Sequence, residues 1–196
     1  MHSLGYAEEK GLDLKRRNQS NMKTSMKRKL PKRKANRMKG YDYSQDNLYF
    51  VTSCVRNMIC CFGKIESNEM ILNEYGKIAY RQWYWLSEQY PYVRLHEFVV
   101  MPNHIHGIIE INRNGRPVPV RTGLDLSVRI KSLSQLMGAY KTTTSKQIHL
   151  LGYESFAWQR SFHDHIIRNQ NAFIAISNYI SDNPSKWKSD KCTDGS

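Results

Sequence analysis

Val99-Val100-Met101-Pro102-Asn103-His104-Ile105-His106-Gly107-Ile108-Ile109 is the stretch on which the reading of this chain turns. Two histidines stand two apart inside an apolar, β-branched run. In a strand, alternation puts His104 and His106 on one face and Ile105 on the other. Neutral imidazoles side by side are half of a divalent-metal site. The plainer reading of the same residues is a strand whose histidines hydrogen-bond or face solvent. Met101-Pro102-Asn103 breaks the run, because proline withholds a backbone donor. The run is therefore two strands, about 92–100 and 104–111, joined as a hairpin.

Outward from the hairpin, residues 47–55 are rich in aromatic and β-branched side chains and read as a first strand. Residues 56–67 read as a loop with a short extended piece at 61–65. Residues 68–90 have helical periodicity, with Ile71, Tyr75, Ile78, Ala79, Trp83 and Leu86 on one face, and Pro91 ends them. After a Pro- and Gly-rich loop at 112–123, residues 125–149 read as a second long helix. Residues 156–162 read as a short fourth strand and 170–182 as a last helix before Pro184. The order is β-α-β-β-α-β plus a helix. That is the α+β, ferredoxin-like sandwich with an antiparallel four-stranded sheet, strands one and three central. Helices then cover one face of the sheet. The histidines point to the open face, or into a gap covered by the last helix.

The 196 residues suffice for one domain with a core. The formal net charge of +13 fits a polyanionic partner, nucleic acid first. It is concentrated in residues 1–40, where thirteen Lys or Arg face three acids, leaving only +3 on the rest. Residues 1–40 therefore read as a disordered basic leader, 41–188 as the folded domain and 189–196 as a polar tail. None of the four cysteines forms a CxxC pair, which argues against a zinc ribbon. The first thirty residues lack the apolar core of a secretory signal, and no apolar run approaches ~18 residues. A cytoplasmic protein without a membrane partner is expected.

The last helix carries Tyr179 and Asn183, four apart and so on one face, beside an apolar face of Phe173, Ile176 and Ile180. Docked on the sheet, it could present a phenol and an amide oxygen to the histidines. Two imidazoles with a hard oxygen suit Mg²⁺ or Mn²⁺ with open positions better than a closed zinc site. The plainer readings are a core tyrosine, one of twelve in the chain, and an asparagine that ends a helix. His163 and His165 are also two apart, on what reads as a strand end running into a helix or turn, so they need not share a face, and they suit a supporting or DNA contact. Arg160, Arg168 and Lys131 could meet phosphate or be solvated surface charges.

Met101-Pro102-Asn103-His104-Ile105-His106 resembles the His-hydrophobic-His signature of single-tyrosine HUH transposases, within them the REP-associated tyrosine transposases. Trp158-Gln159-Arg160 is similar to their Trp-Gln-Arg block. Tyr179-Ile180 followed by Asn183-Pro184 is similar to their tyrosine helix, and Tyr49-Phe50-Val51-Thr52 to their opening strand. The resemblance spans roughly residues 41–188. It implies a metal-dependent endonuclease and strand transferase acting on single-stranded DNA beside a REP-like hairpin. His104, His106 and Asn183 would be the metal ligands and Tyr179 the nucleophile, forming a 5′-phosphotyrosine and leaving a free 3′ hydroxyl. A monomer needs Tyr179 to reach its own histidines, whereas a homodimer could exchange it. The alternatives are a non-catalytic ferredoxin-like module that binds single-stranded nucleic acid, an inactive domesticated relative, and a metal hydrolase using water. The module would bind without metal, and the hydrolase would tolerate Tyr179→Phe.

Overall fold

A computed structural model describes residues 40–113 and 130–187. The expected leader, the polar tail from 189 and residues 125–129 of the expected second helix lie outside the described residues. β1 (Asn47–Cys54) leads through a 3-10 turn to β2 (Gly63–Glu66) and β3 (Glu69–Leu72). Then come α1 (Glu74–Gln89), β4 (Val93–Met101), β5 (His104–Ile111), α2 (Leu133–Leu150), β6 (His163–Ile167) and α3 (Gln170–Ser181). The main sheet runs β4-β5-β1-β6, antiparallel throughout. β1 and β5 are central, as the ferredoxin-like order requires.

One face of the sheet carries the large core. Tyr49 and Val51 of β1 and Ile105, Ile109 and Ile111 of β5 are fully buried there. α1 starts at Asn73, whose side chain accepts from Gly76 N–H at 3.0 Å. It buries Ile78, Ala79, Trp83 and Leu86. α2 starts at a capping box of Ser132 and Gln135 and buries Leu133, Leu136, Met137 and Tyr140. The two helices are tied where Tyr140 O–H donates to Ala79 O at 3.1 Å. At Gly107 the Trp83 indole comes so close to the strand that a Cβ would clash with it. The opposite face of the sheet carries a smaller apolar cluster of Ile108, Ile167 and Ile180 that seats α3.

Three elements differ from their sequence reading. Residues 68–72 are not helical: Glu69–Leu72 pairs with Gly63–Glu66 in a hairpin turned at Ser67 and Asn68. Both turn residues have positive φ, 50° and 65°, the two-residue turn that matches strand twist. Four-residue strands are too short to show a period, so Ile71 reads as the first residue of a helical stripe. The fourth main strand is 163–167, not 156–162. Phe156, Trp158 and Phe162 are buried because they pack under α2, not because they alternate in a ladder. Only Trp158 in that segment forms a bridge, to Val55. α2 begins at Leu133, after its serine cap.

Candidate functional site

Within β5 the even positions His104, His106, Ile108 and Glu110 share the face away from the core. The register sets Cys54 opposite His104 and Thr52 opposite His106. Both imidazoles are buried, 9% and 5% exposed. Their Nε2 atoms stand 3.0 Å apart. Each ring is held from behind. Asn103 lies in the β4–β5 turn, fully buried, and its Nδ2 donates to Met58 O at 3.1 Å. That orients its Oδ1 as the acceptor for His104 Nδ1–H at 2.7 Å. His104 Nε2 is then the bare nitrogen, its lone pair turned toward His106. Thr52 Oγ1 stands 2.7 Å from His106 Nδ1. Burial first, and the neighbouring His104 second, push the His106 imidazole down to about 3, so at neutral pH it is the uncharged, ligating form. Cys54 is a free thiol that burial pushes up despite the pull of Lys141, so it stays protonated.

α3 brings the tyrosine. Asn169 caps its start, accepting from Ala172 N–H at 2.8 Å. Phe173, Ile176 and Ile180 then pack against Leu48, Phe50, Val99, Ile108 and Ile167. This seating sets Tyr179 Oη 3.4 Å from His106 Nε2. The phenol comes from the same chain as the histidines and remains 47% exposed. Phe50 stacks on His106 at 5.4 Å and meets Tyr179 edge-on at 6.1 Å. Trp187 covers His104, ring centres 5.8 Å apart. The two imidazoles are thus walled by aromatic rings, with the half-exposed Tyr179 ring beside His106.

Asn183 follows α3 and is half-buried. Among the described residues its Nδ2 donates to Tyr179 O at 3.4 Å and makes no hydrogen bond to either histidine. Also among the described residues, no three His, Cys, Asp or Glu side chains cluster as a metal site. The pair alone does have the right spacing. Nitrogen donors about 2.1 Å from a six-coordinate ion and at right angles stand about 3.0 Å apart. A site made of two neutral imidazoles and an amide would leave a dication its full charge for an anionic substrate.

No family model matches the chain. A Haemophilus influenzae protein of uncharacterised function is 34% identical over 168 residues, spanning 81% of this chain and 92% of that one. This chain belongs to that protein's family. Among solved structures, a REP-associated tyrosine transposase bound to a REP hairpin aligns with a TM-score of 0.51 and 21% identity. The alignment covers 76% of this chain and 73% of the transposase. At that identity the likeness is one of fold. The chain has the fold of a REP-associated tyrosine transposase.

On this transposase fold the remaining candidates are scattered. Lys131 lies over the Tyr90 ring at 5.8 Å, and its backbone N–H donates to Tyr92 Oη. Tyr92 adjoins the strand end farthest from His104, about 23 Å along β5. Lys131 is therefore not beside the histidines. Arg168 lines a cavity of about 310 Å³ with Tyr43, His165 and Asn169 at the outer edge of β6. Arg160 is exposed on a larger cleft between α2 and the 154–160 segment. His163 and His165 both lie in β6, opposite Thr52 and Phe50, so they do share a face. The reading of 161–167 as a strand end running into a helix or turn is corrected, because β6 starts at His163 and carries both. Both are exposed and make no metal cluster with the pair. Thr52, Asn103, Phe50 and Trp187 had no ligand-like signal of their own in the sequence. Alternation does put Thr52 and Phe50 on one face of β1, but only the register shows which histidine they meet.

Proposed function

We propose that this protein is a metal-dependent, tyrosine-using DNA endonuclease and strand transferase of the transposase type, acting on single-stranded DNA beside a hairpin. The observation that carries the reading is the convergence of Tyr179 on the His104–His106 pair within one chain. A phenol placed 3.4 Å from a metal-type histidine pair has no structural need to be there: it is half-exposed, while the seating of α3 rests on Phe173, Ile176 and Ile180. The fold and the hairpin bound by the solved transposase support the choice of substrate.

His104 and His106, with Asn183 as the oxygen donor, would hold Mg²⁺ or Mn²⁺. When bound, the ion supplies charge stabilisation and orientation to a phosphodiester. Thr52 and Asn103 keep the imidazoles aimed. α3 positions the Tyr179 oxygen for in-line attack on phosphorus. The Tyr–O–P bond forms as the P–O3′ bond breaks. The phenol proton is lost to solvent, and the 3′ oxygen leaves as a hydroxyl. The new ester keeps the energy of the old one, so a 3′ hydroxyl can reverse the step without a nucleotide cofactor.

The test is a denaturing adduct gel. Labelled single-stranded hairpin DNAs taken from beside the gene are mixed with the protein in Mn²⁺ or in EDTA. A metal-dependent covalent band that disappears in Tyr179→Phe is expected. A band that persists in Tyr179→Phe would overturn the nucleophile assignment. Firm binding with no band under any metal would leave a binding module.

A further inference from the structure

Tyr179, Asn183 and Trp187 stand four apart in sequence, the spacing of one helical face. The first brings its oxygen to 3.4 Å from His106 Nε2. The last lies on the His104 ring, with centres 5.8 Å apart and planes at 36°. Asn183 falls midway between them along the chain. The segment therefore touches one imidazole before Asn183 and the other after it.

The backbone between these two contacts is hydrogen-bonded without a break. Asp182 N–H donates to Asn178 O at 2.9 Å, and Asn183 N–H to Ile180 O at 3.2 Å. A 3-10 turn, Pro184–Lys186, follows directly. In it Lys186 N–H donates to Asn183 O and Trp187 N–H to Pro184 O, both at 3.2 Å. Proline opens that turn, where its fixed φ is suited and its missing donor is not needed. The segment is a stiff bridge, and what decides its position is how its far end is held.

The near end is held by α3. Ile180 is the last residue of that helix in its apolar seat, and residues 181–186 hold no large apolar side chain. Asp182 and Lys186 pair at 3.0 Å, but both are exposed and such pairs contribute little. Asn183 does not lock itself: its Nδ2 reaches Tyr179 O only at 3.4 Å, a weak bond. Its Oδ1 accepts no hydrogen bond among the described residues. The next large apolar side chain is Trp187, half-buried, and it lands on His104. We propose that Trp187 is a positioning residue for the metal site: packed on His104, it pins the far end of the bridge and so holds the Asn183 amide where it serves as third donor. The indole is no ligand itself, because its nitrogen only donates. The inference rests on the reading of His104, His106 and Asn183 as metal ligands.

The test measures Mn²⁺ affinity of the full-length protein without DNA, from the electron paramagnetic resonance signal of free Mn²⁺. Wild type is compared with Trp187→Ala, Trp187→Phe, Asn183→Ala and the double variant Asn183→Ala/Trp187→Ala, each checked for folding by thermal melting. Trp187→Ala should weaken binding about 10–100-fold, the loss typical of a residue that orients a ligand. Trp187→Phe keeps an aromatic face and should restore most of the affinity. Asn183→Ala should itself weaken binding, and adding Trp187→Ala to it should change nothing further, because the tryptophan acts through the amide. Wild-type affinity in Trp187→Ala beside a weakened Asn183→Ala would overturn the inference and leave the ligand reading standing. An equal loss from Trp187→Ala in both backgrounds would also overturn it, because the indole would then act on His104 itself. Wild-type affinity in Asn183→Ala, or a wild-type protein that binds no Mn²⁺, would overturn the ligand reading and the inference with it.

Discussion

Gly107, directly after the second histidine, is the most exacting backbone position in the sheet, and Gly107→Ala tests why. A Cβ there would stand 2.4 Å from Trp83 Cζ2, 2.8 Å from Cη2 and 3.0 Å from Phe98 Cδ2. Carbon atoms in contact prefer about 3.5–4.0 Å, so the indole would have to retreat by about 1 Å. It has nowhere to go. Trp83 is fully buried, stacked on Phe98 at 4.5 Å and 6°, with Tyr140 edge-on at 5.6 Å. Overpacking of this kind costs about 1–3 kcal/mol, and the gain in replacing a strand glycine returns at most about 1 kcal/mol. A net loss of about 1–2 kcal/mol is expected, read by urea unfolding followed by circular dichroism. In a Trp83→Phe background the offending indole atoms are gone. There the same substitution should cost almost nothing, a coupling of about 1–2 kcal/mol in a double-mutant cycle. Equal costs in both backgrounds, or a Gly107→Ala protein as stable as wild type, would refute the argument.

Thr52→Val keeps the strand residue β-branched but strips the hydroxyl from behind His106. Mn²⁺ affinity by titration calorimetry should fall about 10–100-fold, with a stability change near 1 kcal/mol; unchanged affinity would remove Thr52 from the site. His106 also makes the metal-free protein acid-sensitive. Its folded value of about 3 lies below the ordinary 6.5, so the unfolded chain takes up the proton first as pH falls. Its contribution is therefore present above pH 6.5 and is lost as pH drops toward 3. In EDTA, between pH 7 and 5, wild type should lose about 2 kcal/mol more than His106→Gln. Parallel losses in the two proteins would show that the imidazole titrates normally in the fold.

The fold was legible where a single element carried its own signal. β1, β4 and β5 are long enough for aromatic and β-branched runs to stand out, and Pro91 and Pro102 punctuate them. The order of elements alone then makes β1 and β5 the central strands. Where burial came from tertiary packing, the signal misled. Phe156, Trp158 and Phe162 look like one face of a strand, yet they fill the space under α2 while the ladder starts one residue later, at His163. The β2–β3 hairpin hides for the opposite reason, because strands of four residues are shorter than any reliable period.

The site divides the same way. His104 and His106 announce themselves by spacing. Tyr179 does not: as one of twelve tyrosines it stands out only through the resemblance of its helix to a known one. Asn103 and Thr52 are invisible as supports until the turn and the register place them behind the rings. Arg168 and Lys131, chosen for charge alone, lie at the outer edge of the sheet and at its far end, because charge says nothing about position.

One strand explains why the phenol and the histidines meet. The same-face positions of β5 are His104, His106, Ile108 and Glu110. The first two are the imidazole pair. The third is fully buried in the apolar seat of α3, with Ile167 and Ile180. The fourth pairs with His96 at 2.9 Å, and the His96 ring meets Phe173 of α3 edge-on at 5.4 Å. The helix that carries Tyr179 is therefore clamped on the strand that carries the histidines, two residues or about 7 Å from them. No loop lies in the chain of contacts that sets the Tyr179–His106 distance. A site built this way holds its geometry on a rigid element, which is what in-line attack demands. It also ties the reactive geometry to a small cluster, of three buried isoleucines among the described residues. Undocking α3 would then carry Tyr179 off His106 while the larger core beneath the sheet stays folded.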